Sequence, residues 1–464
     1  MIRARTLAMG SFVAFTATFA PDARAQQSAP ATLTLDQAVA AALANHPRIQ
    51  GARANEAVAA ARVDEAESNK LPDVGVSAQL NRSTGNTPPG AFFSTTGFPP
   101  ISGAPRGKAF DGGTWQTGVS LYASYDILSI ARQAAAVDVA IAGRSESEAA
   151  TNARRLDIAY QTADSFLATL EAQEAVKAAG MNAGRAKVLA GVVKSLVDQS
   201  LRPGADGARA DAELALAQTA VIRAEQQRDI RRSQLAEAMG NAAVRAELVP
   251  GAILGPADEA TPRGVAASPS HPQLIETRAT VDRAGQVTRS VELEYLPRVD
   301  LVAALWLRGS GLFGSPAAGL VPDIPNWAVG AVASWSFFDI PTIRARARGA
   351  VANEAVAAAR RDETSLAISG QLSTAAAMLD GAVRIARNTP IALSSARAAE
   401  EQATARFRTG LTSVVEVADA QRLLAQAELD DAVARLEVRR AQLLLARAAG
   451  DLTPFFVRSR GGAT

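Results

Sequence analysis

Apolar residues recur at helical spacing, amid abundant Ala, Leu, Glu, Gln and Arg, over 35 to 70, 129 to 199, 206 to 240, 273 to 294, 342 to 408 and 414 to 449. These residue types are strong helix formers, so six helices are expected. Four short segments switch instead to period two. In 115 to 125 one face carries Trp115, Thr117, Val119, Leu121, Ala123 and Tyr125, and the other Gln116, Gly118, Ser120, Tyr122, Ser124 and Asp126. In 73 to 81, Val74, Val76, Ala78 and Leu80 alternate with Asp73, Gly75, Ser77, Gln79 and Asn81. The segments 298 to 308 and 327 to 338 follow the same rule with less clean polar faces. Apolar-out, polar-in alternation over about ten residues is the pattern of a membrane-barrel strand.

The segments repeat. Leu71-Pro72-Asp73-Val74 returns as Leu296-Pro297-Arg298-Val299, and His46-Pro47 as His271-Pro272, both 225 positions later. Toward the end of each half the offset falls to 210, pairing Leu201 with Leu411, Asp206 with Glu416 and Gly240 with Gly450. The chain therefore reads as a tandem duplication of a helix–strand–strand–helix unit. The shorter loop at 309 to 326, against 82 to 113, absorbs the change of offset. The expected organisation is a leader over 1–25, a first repeat over 26–255, a second over 256–450 and a C-terminal tail over 451–464.

Helix lengths suggest how the unit packs. The 71 residues of 129 to 199 make a helix of roughly 105 Å at 1.5 Å per residue. The two shorter helices of the same repeat, 36 and 35 residues, sum to that length, so one long helix can lie beside two short ones placed end to end. Gly180 and Pro390 fall at equivalent points of the long helices and are expected to mark a shared bend. On the last helix Leu429, Val433, Leu436 and Leu443 form a narrow seam that calls for a coiled-coil partner.

Four strands leave two open edges, and hydrocarbon offers no water for unpaired backbone N–H and C=O groups. If the strands lie in a membrane, copies of the chain must close the sheet together. Two, three or four copies would give eight, twelve or sixteen strands, and periodicity does not choose among them. All four tryptophans, Trp115, Trp306, Trp327 and Trp335, fall in the strand segments and are expected to form an aromatic girdle at the lipid headgroups. A soluble half-buried sheet is the alternative.

Composition narrows the functional classes. Arg3 and Arg5 precede an apolar run from Leu7 to Ala20 and the small-residue site Ala23-Arg24-Ala25, the form of a cleaved secretory signal. Removing Arg3, Arg5, Arg24 and Asp22 leaves 45 basic and 45 acidic residues, a net charge of zero with no basic stripe, so no nucleic-acid partner is expected. Cysteine is absent, which rules out disulfide staples and an acylated-cysteine anchor. No later segment reaches the ~18 apolar residues of a helical membrane span. His46 and His271 occupy the same repeated setting before proline, which fits helix starts better than a metal pair. No nucleophile, phosphate-loop or zinc-protease motif appears, and no cofactor is expected.

At this point the chain resembles the TolC-type outer-membrane efflux proteins. The likeness rests on Leu33-Thr34-Leu35-Asp36-Gln37-Ala38 followed by Asn45-His46-Pro47, on the Leu-Pro pairs entering the strands, and on Tyr125-Asp126 and Phe338-Asp339 leaving them. The most specific stretch is Arg408-Thr409-Gly410-Leu411-Thr412-Ser413-Val414-Val415-Glu416-Val417-Ala418-Asp419-Ala420-Gln421. The resemblance implies a mainly α fold with a transmembrane β-barrel, in which a homotrimer shares twelve strands in outer-membrane lipid above a periplasmic helical tunnel. It further implies an adaptor and an inner-membrane pump as partners, with the tips at Leu201, Gly410, Leu411 and Thr412 touching the adaptor. Ser200 stands at the first tip where glycine is usual. Glu416 and Asp419 match the family's paired acidic gate, and Asp206 and Arg209 hold the equivalent places in repeat one. Their i, i+3 spacing sets each pair on one helix face. Stabilisation of a helix N-terminus by negative charge is the simpler account of the acids. A conduit for small toxic molecules is the leading expectation, with protein secretion or a soluble periplasmic scaffold as alternatives.

Overall fold

The computed structural model describes residues 32–83, 114–241, 247–254, 268–310 and 315–459. The expected leader and most of the first inter-strand loop lie outside them. Strand β1 (Thr32–Leu33) leads into α1 (Leu35–Asn45), α2 (Pro47–Ser68), β2 (Asp73–Ser83), β3 (Thr114–Asp126), α3 (Ile130–Asp198), α4 (Gly204–Ala238) and β4 (Glu247–Leu248). The second half runs α5 (Pro272–Glu292), β5 (Arg298–Ser310), β6 (Ile324–Ser334), α6 (Ile340–Arg408) and α7 (Val414–Ala449). The C-terminal segment forms a further helix, α8 (Thr453–Ser459).

The duplication is visible in three dimensions. α3 and α6 are each 69 residues long, and each lies beside two shorter helices: α2 and α4 for α3, α5 and α7 for α6. Gly180 and Pro390 both lie within uninterrupted helix. The halves meet along α3, which packs on both α5 and α7. Four ion pairs mark its seam with α7: Asp157 with Arg447 at 3.1 Å, Asp164 and Glu171 with Arg440 at 2.9 and 3.8 Å, and Glu428 with Arg185 at 2.9 Å. Around the middle of the bundle, β1 pairs in parallel with β4, and α1 and α8 cover a core of Phe166, Leu167, Leu170, Leu436, Leu443 and Phe455. The expected tail thus becomes part of the core, because Phe455, 2% exposed, has apolar surface to bury.

The helix expected over 35 to 70 is two helices. His46 ends α1 and caps α2: the backbone N–H of Arg48 donates to His46 Nδ1 at 3.1 Å, and Pro47 holds the first helical position, where its missing N–H costs nothing. His271 repeats the device, accepting from the N–H of Gln273 at 3.2 Å. Each histidine also sits on a left-handed glycine that ends another helix of its half. A Cβ on Gly240 (φ +69°) would lie 2.9 Å from His46 Cα, and one on Gly450 (φ +89°) 2.7 Å from His271 Cδ2. The repeated histidines and the repeated glycines are therefore one joint, built twice. The break also explains why α2 and α4 together fall short of α3: α1 turns aside to cover the core.

Burial disfavours the charged imidazole and lowers the pKa of both histidines, helped at His46 by Arg48. Between the ordinary value of 6.5 and the lower folded value, the unfolded chain takes up protons that the folded chain refuses. Stability then falls as pH drops below 6.5. Replacing both histidines with Asn keeps a capping side chain and removes the titration. The expected outcome is a thermal midpoint that falls less from pH 7 toward about pH 5 in His46→Asn/His271→Asn than in the parent, read by circular dichroism.

Candidate pore mouth and channel wall

The four longer strands form one antiparallel sheet in the order β2-β3-β5-β6, so β3 of the first repeat pairs directly with β5 of the second. Register assigns the faces without ambiguity. Val76, Leu121, Leu305 and Trp327 make one cross-strand row, and Val74, Ala123, Ala303 and Val329 another. These rows are open to the surroundings, with Val76 73%, Leu305 60% and Val329 76% exposed. On the opposite face Ser77, Ser120, Trp306 and Asn326 align, with the Ser77 and Ser120 hydroxyls 2.7 Å apart. Tyr122 folds across Gly75, where a Cβ would meet its ring. A contiguous apolar sheet face of this kind marks a membrane-contacting surface.

The register corrects one member of the expected girdle. Trp306 belongs to the polar row, because an even-numbered position on β5 points opposite to Leu305 and Leu307. Trp115 and Trp327 lie on the apolar face. Trp115 sits at the sheet end away from the helices, under the Arg82 guanidinium at 5.5 Å. Trp335 follows β6 at the helix end, 4.5 Å from the ring of Phe337. β6 stops at Ser334 rather than 338, and Phe337-Phe338-Asp339 form a single 3-10 turn into α6.

At the far end of the bundle both helical hairpins turn in the same way. The Leu201 N–H donates to the Leu196 carbonyl and the Leu411 N–H to the Arg406 carbonyl, each at 2.9 Å, around a left-handed residue. That residue is Gly410 (φ 77°) in the second hairpin and Ser200 (φ 57°) in the first, the one non-glycine with positive φ among the described residues. The departure from glycine thus leaves the turn type unchanged and adds a conformational cost. Leu189, Val193, Phe407, Val414 and Val417 form a core that joins the hairpins just inside the tips. Arg202 ties them together: it donates to the Thr412 carbonyl at 3.3 Å, lies 5.2 Å from the Phe407 ring centre and pairs with Asp206 at 3.9 Å.

Glu416 and Asp419 share the exposed face of α7, opposite the buried Val414, Val417 and Ala418. Each has an arginine partner that sequence reasoning missed. Arg406 donates to Glu416 at 3.0 Å, and Arg422 donates to Asp419 at 2.6 Å while reaching Glu213 at 3.5 Å. The one sequence signal was position: Arg422 follows Asp419 at i+3, and Arg406 lies across the turn. Thr412 is buried and its hydroxyl donates to Glu416, so it braces that carboxylate rather than offering itself outward, in contrast to Leu201 and Leu411, 65% and 71% exposed. Asp206 pairs with Arg202 and not with Arg209, which stands exposed without an ion pair among the described residues. The tips carry interleaved charges of both signs.

Among the described residues no helix is long and apolar enough to cross a membrane, and no cluster of His, Asp and Glu could hold a metal ion. A family model described as outer membrane efflux protein matches residues 38–241 and 266–451. The chain belongs to the outer membrane efflux protein family. It is an outer-membrane efflux channel that extends into the periplasm, in a family of channels rather than enzymes. Its fold is shared with the OprN outer-membrane channel at 21% identity and a TM-score of 0.70, over 90% of this chain and 89% of that one. VceC of Vibrio cholerae is similar at 17% identity and a TM-score of 0.72, covering 90% and 96%, and CmeC of Campylobacter jejuni at 16% and 0.73, covering 92% and 89%. No curated protein matches the efflux protein in sequence.

The two tips differ in one backbone cost, and that difference is measurable. Gly410→Ala is expected to lower the free energy of opening of the second tip by about 1 kcal/mol, whereas Ser200→Gly raises that of the first by up to the same amount. Hydrogen exchange at the Leu411 and Leu201 amides reads both.

Proposed function

We propose that three copies of this efflux protein close a twelve-stranded barrel in the outer membrane. Their long helices would then continue it as a periplasmic tunnel for small molecules, delivered by an inner-membrane pump through a periplasmic adaptor. The observation that carries this reading is the four-stranded sheet with an apolar face and two open edges, standing on helices of roughly 100 Å. One chain cannot seal such a sheet in lipid, and the number three is what the family resemblance implies. The exposed Leu201 and Leu411 at the tips suit apolar contact with the adaptor.

In this reading the mouth selects cations through Glu416 and Asp419, multiplied by threefold symmetry into acidic rings. Their arginine partners set the strength of that selection. The pairs Glu416–Arg406 and Asp419–Arg422 are about half exposed, so each is weak and can exchange partners with a passing ion. Two substitutions of opposite sign test this. Glu416→Gln/Asp419→Asn lowers the cation-to-anion permeability ratio, and Arg422→Ala raises it, measured as reversal potentials of single channels under a salt gradient. A ratio that neither change moves removes these residues from the gate. Particle images in detergent test the larger reading through their symmetry and length.

A further inference from the structure

The open edges of the sheet determine which helices face a neighbouring copy. Helix neighbours within the chain follow strand order, with α2 beside α3, α3 beside α5 and α5 beside α6. On the shared-barrel reading above, joining β6 to β2 of the next copy sets α6 beside that copy's α2. The internal repeat supplies the geometry of this contact. Asp126 and Asp339 lead into the two long helices 213 positions apart, and His46 and His271 open the shorter ones 225 apart. An α6–α2 contact between copies is therefore the repeat of the α3–α5 contact inside the chain.

In that internal contact Glu146 of α3 pairs with Arg283 of α5 at 3.0 Å and accepts from the Thr280 hydroxyl at 2.8 Å. Shifted by the repeat, Glu146 becomes Ala359 and Arg283 becomes Val58. The central charges are gone, and charges appear at the two ends instead. The face of α2 turned from α3 runs Gly51, Ala54, Val58, Ala61, Glu65, and every one of these positions is exposed, as is Arg48 in the first turn, whose long side chain extends beside this stripe. The face of α6 turned from α5 runs Arg348, Ala352, Ala355, Ala359, Glu363, also exposed throughout. None of the four charged residues takes part in an ion pair among the described residues.

We propose that α6 of one copy packs antiparallel on α2 of the next, locked by Arg348 to Glu65 near the membrane and by Glu363 to Arg48 at the lower end. The spacings agree: Arg48 and Glu65 are 17 residues apart and Arg348 and Glu363 are 15, roughly 25 and 22 Å of helix. Long side chains absorb the difference. Transposing Glu65 and Arg348 back into the first contact gives Ser290 and Ala135, which fall opposite each other in the antiparallel register that Gly143 and Arg283 set, where atoms approach to 3.7 Å. The order of charges also rejects the wrong partner orientation. A parallel α2 would bring Arg48 to Arg348 and Glu65 to Glu363, so like charges oppose it at both ends.

The efflux protein has no cysteine, so an engineered pair reports the contact without background. In the full chain purified in detergent, Ala61→Cys/Ala352→Cys is expected to give a covalent ladder up to trimer on oxidation, and either single cysteine no trimer. Separately, Arg348→Glu or Glu65→Lys alone is expected to weaken assembly by about five-fold per broken pair, read by sedimentation, and the double exchange to restore it. A trimeric parent whose double-cysteine variant yields no ladder, or whose charge exchange restores nothing, overturns this interface and leaves the shared barrel standing. A parent that sediments as a monomer overturns the barrel reading itself.

Discussion

Hydrocarbon cannot hydrogen-bond a peptide group, and this chain carries a sheet whose two outer strands, β2 and β6, have no further partner among the described residues. Everything else about the molecule is arranged around that deficit. The strands carry Val76, Leu121, Leu305 and Trp327 on the apolar face and Ser77, Ser120 and Trp306 on the other, so the two faces already differ within one chain. Because the strands join directly to helices, strand order also dictates which helices become neighbours. The bundle then has no independent choice of topology.

Duplication makes that solution economical. One joint, a histidine that caps a helix and lies on a left-handed glycine, is built at His46 with Gly240 and again at His271 with Gly450. One tip turn is used at both hairpins, with Ser200 tolerated where Gly410 is comfortable. The two halves diverge where they must do different things. Arg202 of the first tip bridges to the second, whereas the equivalent Thr412 turns inward to hold Glu416.

Much of this was legible in the sequence because periodicity and repetition are local signals. Strand faces followed from alternation, the two long helices from uninterrupted helix formers, and the structural role of the histidines from their recurrence before proline. What escaped depended on distance. The alternation rule itself excluded Trp306 from the apolar face, and the count of tryptophans obscured it. The break at His46 was hidden because the flanking residues are all helix formers, so only the cap geometry separates α1 from α2. Arg406 and Arg422 became partners of Glu416 and Asp419 through the turn and the helix face, which composition does not report. The burial of Phe455 required α3 and α7 to meet first.

The seam between the halves also limits where the wall can move. Asp157–Arg447, Asp164–Arg440 and Arg185–Glu428 bind α3 to α7 at successive levels, and the last of these is the least exposed, at 22% and 13% for its two side chains. Partial burial strengthens such a pair relative to an open one, and removing one partner would strand the other charge. Beyond Arg185 toward the tip no further ion pair joins α3 to α7 among the described residues. The hairpins there are held by a small apolar core and by Arg202, and the nearby charges sit in open, exchangeable pairs. On the proposed reading of the tips as a mouth that opens, the hinge would fall at Arg185–Glu428, with the last turns of α3 and the first turns of α7 as the moving part.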